Sequence, residues 1–336
     1  MKALLSILVL TATASLTACD SGTSEAETLA LPEGARQASW SPDGGRIAVP
    51  AHDKIELIRA DGSLERRITI PGVDISGFSC ECRIGWSENG ERLHVVTQPQ
   101  PRDAKAGVTT VTADGASPLR KAFLGVPVRG ASWSPHGWPL VFVPNSIVIR
   151  GRKPRGPTPD LWRLDRLSAQ PRKVISLAGE ELDPVFSPDG SEILFSRSTE
   201  TRSSLWAVSL DGSRLRQLAG GLSNLSAAWS PDGSRVAFTA NRRGGDLRTH
   251  LYIVTADGGE VRQLAGEEVR RGQPAWTPDG RWIAFANYEG EIRRVRPNGS
   301  AEETILSLPD EDVSGLSWSP NGVTLAYSAT PRVTVD

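Results

Sequence analysis

One seven-residue phrase occurs seven times along this chain, and its spacing leaves few folds open. A small residue and an aromatic precede Ser or Thr and a turn of Pro-Asp-Gly type, from Ala38-Ser39-Trp40-Ser41-Pro42-Asp43-Gly44 to Leu316-Ser317-Trp318-Ser319-Pro320-Asn321-Gly322. The aromatic anchors Trp40, Trp86, Trp133, Phe186, Trp229, Trp276 and Trp318 are 46, 47, 53, 43, 47 and 42 residues apart. A unit of this length with several short strands cannot bury its apolar face alone, so neighbouring units must stack. The period predicts an all-β chain folded as a seven-bladed β-propeller with four antiparallel strands per blade.

Each unit supplies the parts of a blade. A first strand ends at the aromatic, and proline then presets the first turn corner while glycine accepts the positive φ that closes it. Second strands are apolar almost throughout, as in Arg46-Ile47-Ala48-Val49 and Arg235-Val236-Ala237-Phe238, which suits burial on both faces. A third strand runs into a repeated Asp-Gly hairpin signal, as at Asp61-Gly62, Asp114-Gly115, Asp211-Gly212 and Asp257-Gly258. The last unit has two strands followed by Arg332 to Asp336, which aligns with a third. Its fourth strand is expected from the N-terminus, at residues 28–32, closing the last blade and removing an open sheet edge.

The start of the chain has another character. Lys2 precedes an apolar run that ends in Leu16-Thr17-Ala18-Cys19, which resembles a bacterial lipoprotein signal. That resemblance implies removal of residues 1–18, acylation of Cys19, a lipidated tether over residues 19–27 and a propeller over residues 28–336. An ordinary signal peptide cleaved nearby, or an uncleaved anchor, is the alternative, although the run is short for a membrane span of about 20 residues. Localisation at the lipid-anchored, extracytoplasmic face of a bacterial envelope follows, and Asp20 resembles an inner-membrane retention signal.

The repeats themselves resemble the propeller repeats of TolB and its relatives, also called WD-like, over nearly all of residues 28–336. TolB carries an α/β domain before a six-bladed propeller, so the resemblance implies fold more than a place in a Tol-Pal system. Propellers of prolyl-oligopeptidase-type peptidases share the repeat, but the sequence has no Gly-x-Ser-x-Gly elbow. Resemblance to oligogalacturonate lyases keeps an enzyme alternative open: a polysaccharide lyase, or a hydrolase-like site at the channel mouth.

Candidate chemistry is sparse. His94 falls in a second strand, His136 in a tight turn, and His52 and His250 in loops between second and third strands, without ligand spacing, so no metal site is expected. The repeated Asp43, Asp189, Asp232 and Asp279 are explained by hydrogen bonding within turns and are assigned no catalysis. Cys80-Glu81-Cys82 ends a long loop that enters the second blade; a local disulfide and a redox-active or metal-touching pair are both open. The insertion from Pro144 to Asp160 contains Arg150, Arg152, Lys153 and Arg155, either a solvated loop or an arm for an acidic partner.

Binding is therefore expected at the channel mouth, where innermost strands converge. Residues three before each anchor should line it: Gln37, Arg83, Asp183, Ser226 and Gln273, with small glycines at 130 and 315, and Arg36 and Arg129 one step earlier. Charged loops flank them, including Glu180-Glu181, Glu267-Glu268-Val269-Arg270-Arg271 and Asp310-Glu311-Asp312. No catalytic residue and no cofactor are assigned. A formal net charge of -1 excludes a general nucleic-acid binder. The expected protein is a monomeric, non-catalytic scaffold for an envelope protein or glycan, held to the membrane through Cys19.

Overall fold

The computed structural model describes residues 26–32, 35, 38–51, 54–70, 84–97, 106–116, 120–124, 126, 128–144, 159–199, 203–242, 248–266, 268–270 and 272–332. Every regular element among them is a β-strand. Blade one comprises Ser39–Trp40, Arg46–Ala51, Lys54–Arg59 and Leu64–Thr69. Blade two follows with Ile84–Trp86, Arg92–Thr97, Gly107–Thr112 and Arg120–Phe123. Blade three has Val128–Trp133, Leu140–Pro144, Leu161–Leu164 and Arg172–Ile175. Blades four and five share one continuous sheet, because the long strand Arg216–Trp229 ends the first and begins the second. Blade six contains Ala275–Trp276, Ile283–Ala286, Glu291–Val295 and Glu302–Ser307.

Blade seven corrects one expectation in detail. Glu311–Trp318 and Thr324–Pro331 are antiparallel, and the N-terminal strand Glu27–Ala30 joins them. It closes the blade as expected, but it pairs directly with Thr324–Pro331 and runs parallel to it. That placement buries Leu31 and brings Leu29 against Ile47, Val49 and Ile58 of blade one, sealing the seam between first and last blades. Residues 333–336, read as part of a third strand, lie outside the described residues.

The anchors explain why the blades form a ring. Each inner strand ends at its aromatic, and the indoles of Trp40, Trp86, Trp229 and Trp276 reach the backbone of the preceding blade: Trp86 Nε1 donates to the Ser39 carbonyl at 2.9 Å and Trp276 Nε1 to that of Ala228 at 3.3 Å. Inner strands touch in cyclic order from blade one to blade seven and back to blade one. Phenylalanines nine residues beyond four of the anchors, Phe142, Phe195, Phe238 and Phe285, are fully buried in second strands and fill the spaces between sheets.

The turns behave as their composition dictates. In the turn at Ser187, the Gly190 amide donates to the Ser187 carbonyl at 2.9 Å, and the seven turn glycines have φ between +67° and +86°. Ser187 Oγ donates to Asp189 at 2.6 Å and accepts from the Glu192 amide at 2.9 Å. These bonds hold the carboxylates ionised: Asp232, hydrogen-bonded to Ser230 and Ser234, has its pKa pushed down to about 2.

Candidate functional site

A central cavity of about 860 Å³ runs along the inner strands. At one end it meets the inner turns, through Pro42, Pro135 and Pro320; at the other it reaches Arg270, Asp312 and Thr330. Small and hydroxyl-bearing side chains line much of its length, among them Ser39, Ser132, Ser314 and Ser328. Its volume falls in the range of ordinary small-ligand sites, roughly 300–1,000 Å³.

Charge gathers at the mouth on the side of blades six and seven. The Arg270 guanidinium donates to Asp312, which also accepts from Arg332 Nε at 3.1 Å. Arg332 donates in addition to the Tyr288 carbonyl, and Arg270 lies over the Tyr288 ring at 5.4 Å. The Arg270 hydrogen bond, reinforced by both arginine charges, lowers the Asp312 pKa and keeps it ionised. Two guanidiniums thus converge on one carboxylate beside a half-exposed aromatic ring, with Asp310 and Glu311 preceding Asp312 in the chain.

Of the mouth residues expected from sequence, Gln273 lines the cavity, and its side chain donates to the Ala227 carbonyl at 2.9 Å. Arg129 forms an exposed ion pair with Glu180 at 2.8 Å between blades three and four. Asp183 adopts φ 50° where the register shifts between Leu182 and Val185, and Ser226 sits inside a strand opposite Thr239. Arg270 and Asp312 pair at one end of the cavity, and Gln273 lines its wall as Gly315 does, whereas Arg129, Asp183 and Ser226 are not among its lining residues. Cys19, Arg36, Gln37, Cys80, Cys82 and Arg83 lie outside the described residues, as do Arg150, Arg152, Lys153 and Arg155.

Sequence reading missed the pairing of Arg270 with Asp312, though a signal existed. Both stand six residues before their anchors, Trp276 and Trp318, so they occupy the same repeat position in adjacent blades. A second correction concerns Glu181, read as a surface charge. It is fully buried, neither carboxylate oxygen has a hydrogen-bond partner, and burial, then the nearby Asp160, pushes its pKa up to about 7. Its neighbour Asp160 is likewise buried, paired with Lys173 Nζ at 2.6 Å and Ser176 Oγ at 2.9 Å. Arg197 lies across the strand pair, and its guanidinium donates to the Ala178 carbonyl.

The histidines do not converge among the described residues. His94 is buried against Trp133 and Trp138 at 5.2 Å each, and its Nδ1 lies 2.9 Å from Thr110 Oγ1. His250 is in the strand Thr249–Thr255, not in a loop, beside Tyr252. Among the described residues, no three of His, Cys, Asp and Glu come together in a way that could hold a metal ion.

Comparison with known proteins agrees with this architecture. The chain is 24% identical over 275 residues to "Uncharacterized protein Atu1656" of Agrobacterium fabrum (strain C58), covering 76% of this chain and 86% of that one. It is 28% identical over 141 residues to a protein TolB homolog of Chlorobium luteolum, covering 41% of this chain and 31% of that protein. An oligogalacturonate lyase structure from Vibrio parahaemolyticus superposes with a TM-score of 0.63 at 14% identity, over 85% of this chain and 84% of that one, a likeness of fold. The family model described as the TolB beta propeller domain matches residues 157–334, just over half of the chain, and with the ring of anchored blades it places this protein: the chain belongs to the TolB β-propeller domain family.

Proposed function

We propose that this propeller is a membrane-anchored, extracytoplasmic binding scaffold that receives a protein or glycan at its channel mouth and does no chemistry of its own. The observation that carries the reading is the cavity, whose entrance holds the Arg270–Asp312 ion pair and whose wall presents Gln273 and small hydroxyl side chains. Such a surface offers many hydrogen bonds and a compact cluster of ionised groups, which suits selection of a partner by electrostatics and shape. Among the described residues, His94 serves the core and His250 packs against Tyr252 of its own sheet, which favours the scaffold over the lyase-like alternative. Location in the envelope, with Cys19 acylated and Asp20 favouring the inner membrane, rests on the leader-like residues 1–18.

Affinity purification of the full-length protein from its own membranes tests the reading. A partner should be captured by the unaltered protein, lost with Arg270→Ala combined with Thr330→Trp, and retained with the turn variant Asp232→Asn. Equal capture by both variants, or none above a soluble Cys19→Ala control, overturns it.

A further inference from the structure

The strand that closes the ring also fixes where the chain enters it. Glu27 lies opposite Thr324 and Ala30 opposite Tyr327, and the Glu27 amide donates to the Val323 carbonyl at 3.0 Å. Val323 directly follows the turn Ser319-Pro320-Asn321-Gly322, so the chain joins the folded body at the face that bears all seven inner turns. From there it crosses to the opposite face: the Leu31 amide donates to the Tyr327 carbonyl at 2.8 Å, Ser328 Oγ donates to the Ala35 carbonyl, and Ala35 lines the cavity.

These two faces are built differently. The seven inner turns on the entry face are of one length and packed side by side: a Cβ on Gly44 would lie 3.4 Å from Pro320 Cδ, and one on Gly280 would lie 3.8 Å from Pro231 Cδ. The opposite face receives the strand ends that flank residues 71–83, 98–105, 145–158 and 243–247, connections of unequal length. It also carries Arg270, Asp312 and Thr330. Unequal loops on an even scaffold are where recognition resides.

We propose that the face bearing the inner turns is directed toward the lipid surface and the channel mouth away from it, where partners have free access. The proposal rests on the anchor at Cys19 put forward above. Lengths decide it. Residues 20–26 number seven, and seven residues span at most about 25 Å even when fully extended. The eight-residue strand Thr324–Pro331, which spans the ring from face to face, is about 26 Å long at roughly 3.3 Å per residue. A tether leaving at the turn face cannot run back along the blade and still hold the mouth against the lipid.

The test uses the full-length acylated protein in phosphatidylcholine vesicles doped with phosphatidylglycerol and a headgroup spin label. A fluorophore is placed at Val323→Cys on the turn face or at Thr330→Cys at the mouth, each in a Cys80→Ser, Cys82→Ser background; both sites are exposed. Quenching should be several-fold stronger at position 323. A Gly/Ser tether four times as long, with about twice the mean reach, should erase the difference. Equal or reversed quenching with the native tether, or a difference that survives the long one, overturns the orientation alone. Flotation with vesicles by a Cys19→Ala variant, or its absence in the unaltered protein, overturns the anchor and the orientation with it.

Discussion

The indole Nε1 of Trp40 donates to the carbonyl oxygen of Ser317 at 3.1 Å, joining the first repeat to the last across 277 positions of sequence. It is the same bond that Trp86 makes to Ser39 within the run of blades, so ring closure reuses the ordinary joint between neighbours. The N-terminal strand then covers the seam from outside.

Removing that joint should cost what one hydrogen bond contributes. Trp40→Phe is expected to lower stability by about 1 kcal/mol in urea denaturation. Trp318 provides the contrast, since its Nε1 is buried without a partner. Trp318→Phe is expected to be neutral or stabilising, because it deletes an unsatisfied donor. Equal losses in the two variants would show that ring volume, not the hydrogen bond, is what matters.

Deleting residues 27–31 should destabilise the whole ring and not blade seven alone. The deletion exposes Thr324–Pro331 as an open edge and uncovers Ile47, Val49 and Ile58 of blade one. A single unfolding transition shifted to lower temperature is expected by calorimetry. An unchanged Tm refutes the role assigned to this strand.

Much of this architecture was legible because it is periodic. Anchors, turns and second strands recur, so any one copy is checked by six others. The mouth resisted the same reading for a physical reason. The inner strands of blades four and seven begin at Glu180 and Glu311, six or seven residues before their anchors, so a position three before the anchor lies inside the strand. Three residues of strand amount to about 10 Å, enough to separate Asp183 from the rim where Asp312 stands. Glu181 was misread because an acidic residue is taken as exposed, whereas the alternation of its strand turns it into the interior beside Asp160.

Gly85 tests how tightly neighbouring blades are stacked. Its φ lies outside the positive range that favours glycine, yet a Cβ there would sit 2.4 Å from Trp133 Cγ. Trp133 cannot easily yield, since it packs against His94 and edge-on against Trp138 at 5.2 Å. Gly85→Ala is expected to cost about 1–3 kcal/mol through overpacking. Gly45→Ala serves as control, because its nearest neighbours are Asp43 atoms at 3.6 Å, and a loss of similar size there would refute the steric account.

Ser230 measures the worth of a turn hydroxyl. It donates to Asp232 at 2.5 Å and accepts from the Arg235 amide at 2.9 Å while almost fully buried. Ser230→Ala strands that amide and should cost about 1–3 kcal/mol, whereas Ser230→Thr keeps both bonds and should cost less. Equal losses would mean that the turn is held by its backbone alone.

Two buried groups should oppose each other in the pH dependence of stability. Glu181 has its pKa raised from 4.5 to about 7, chiefly by burial, so between those values the folded chain keeps a proton that the unfolded chain releases. Its contribution is full below about 4.5 and lost as pH rises through 7. His94 has its pKa lowered from 6.5 to about 4 by burial and, to a lesser extent, by Arg92, so in nearly the same window the unfolded chain binds a proton that the folded one refuses. Its contribution is full above about 6.5 and lost as pH falls toward 4. The slopes are of opposite sign, each up to about 1.4 kcal/mol per pH unit. Near-cancellation between pH 4.5 and 6.5 is therefore expected in the unaltered protein. Glu181→Gln should unmask stability that rises with pH across this window, and His94→Gln stability that falls. Urea midpoints measured at half-unit steps read both slopes, and two parallel curves would overturn the assignment of either group.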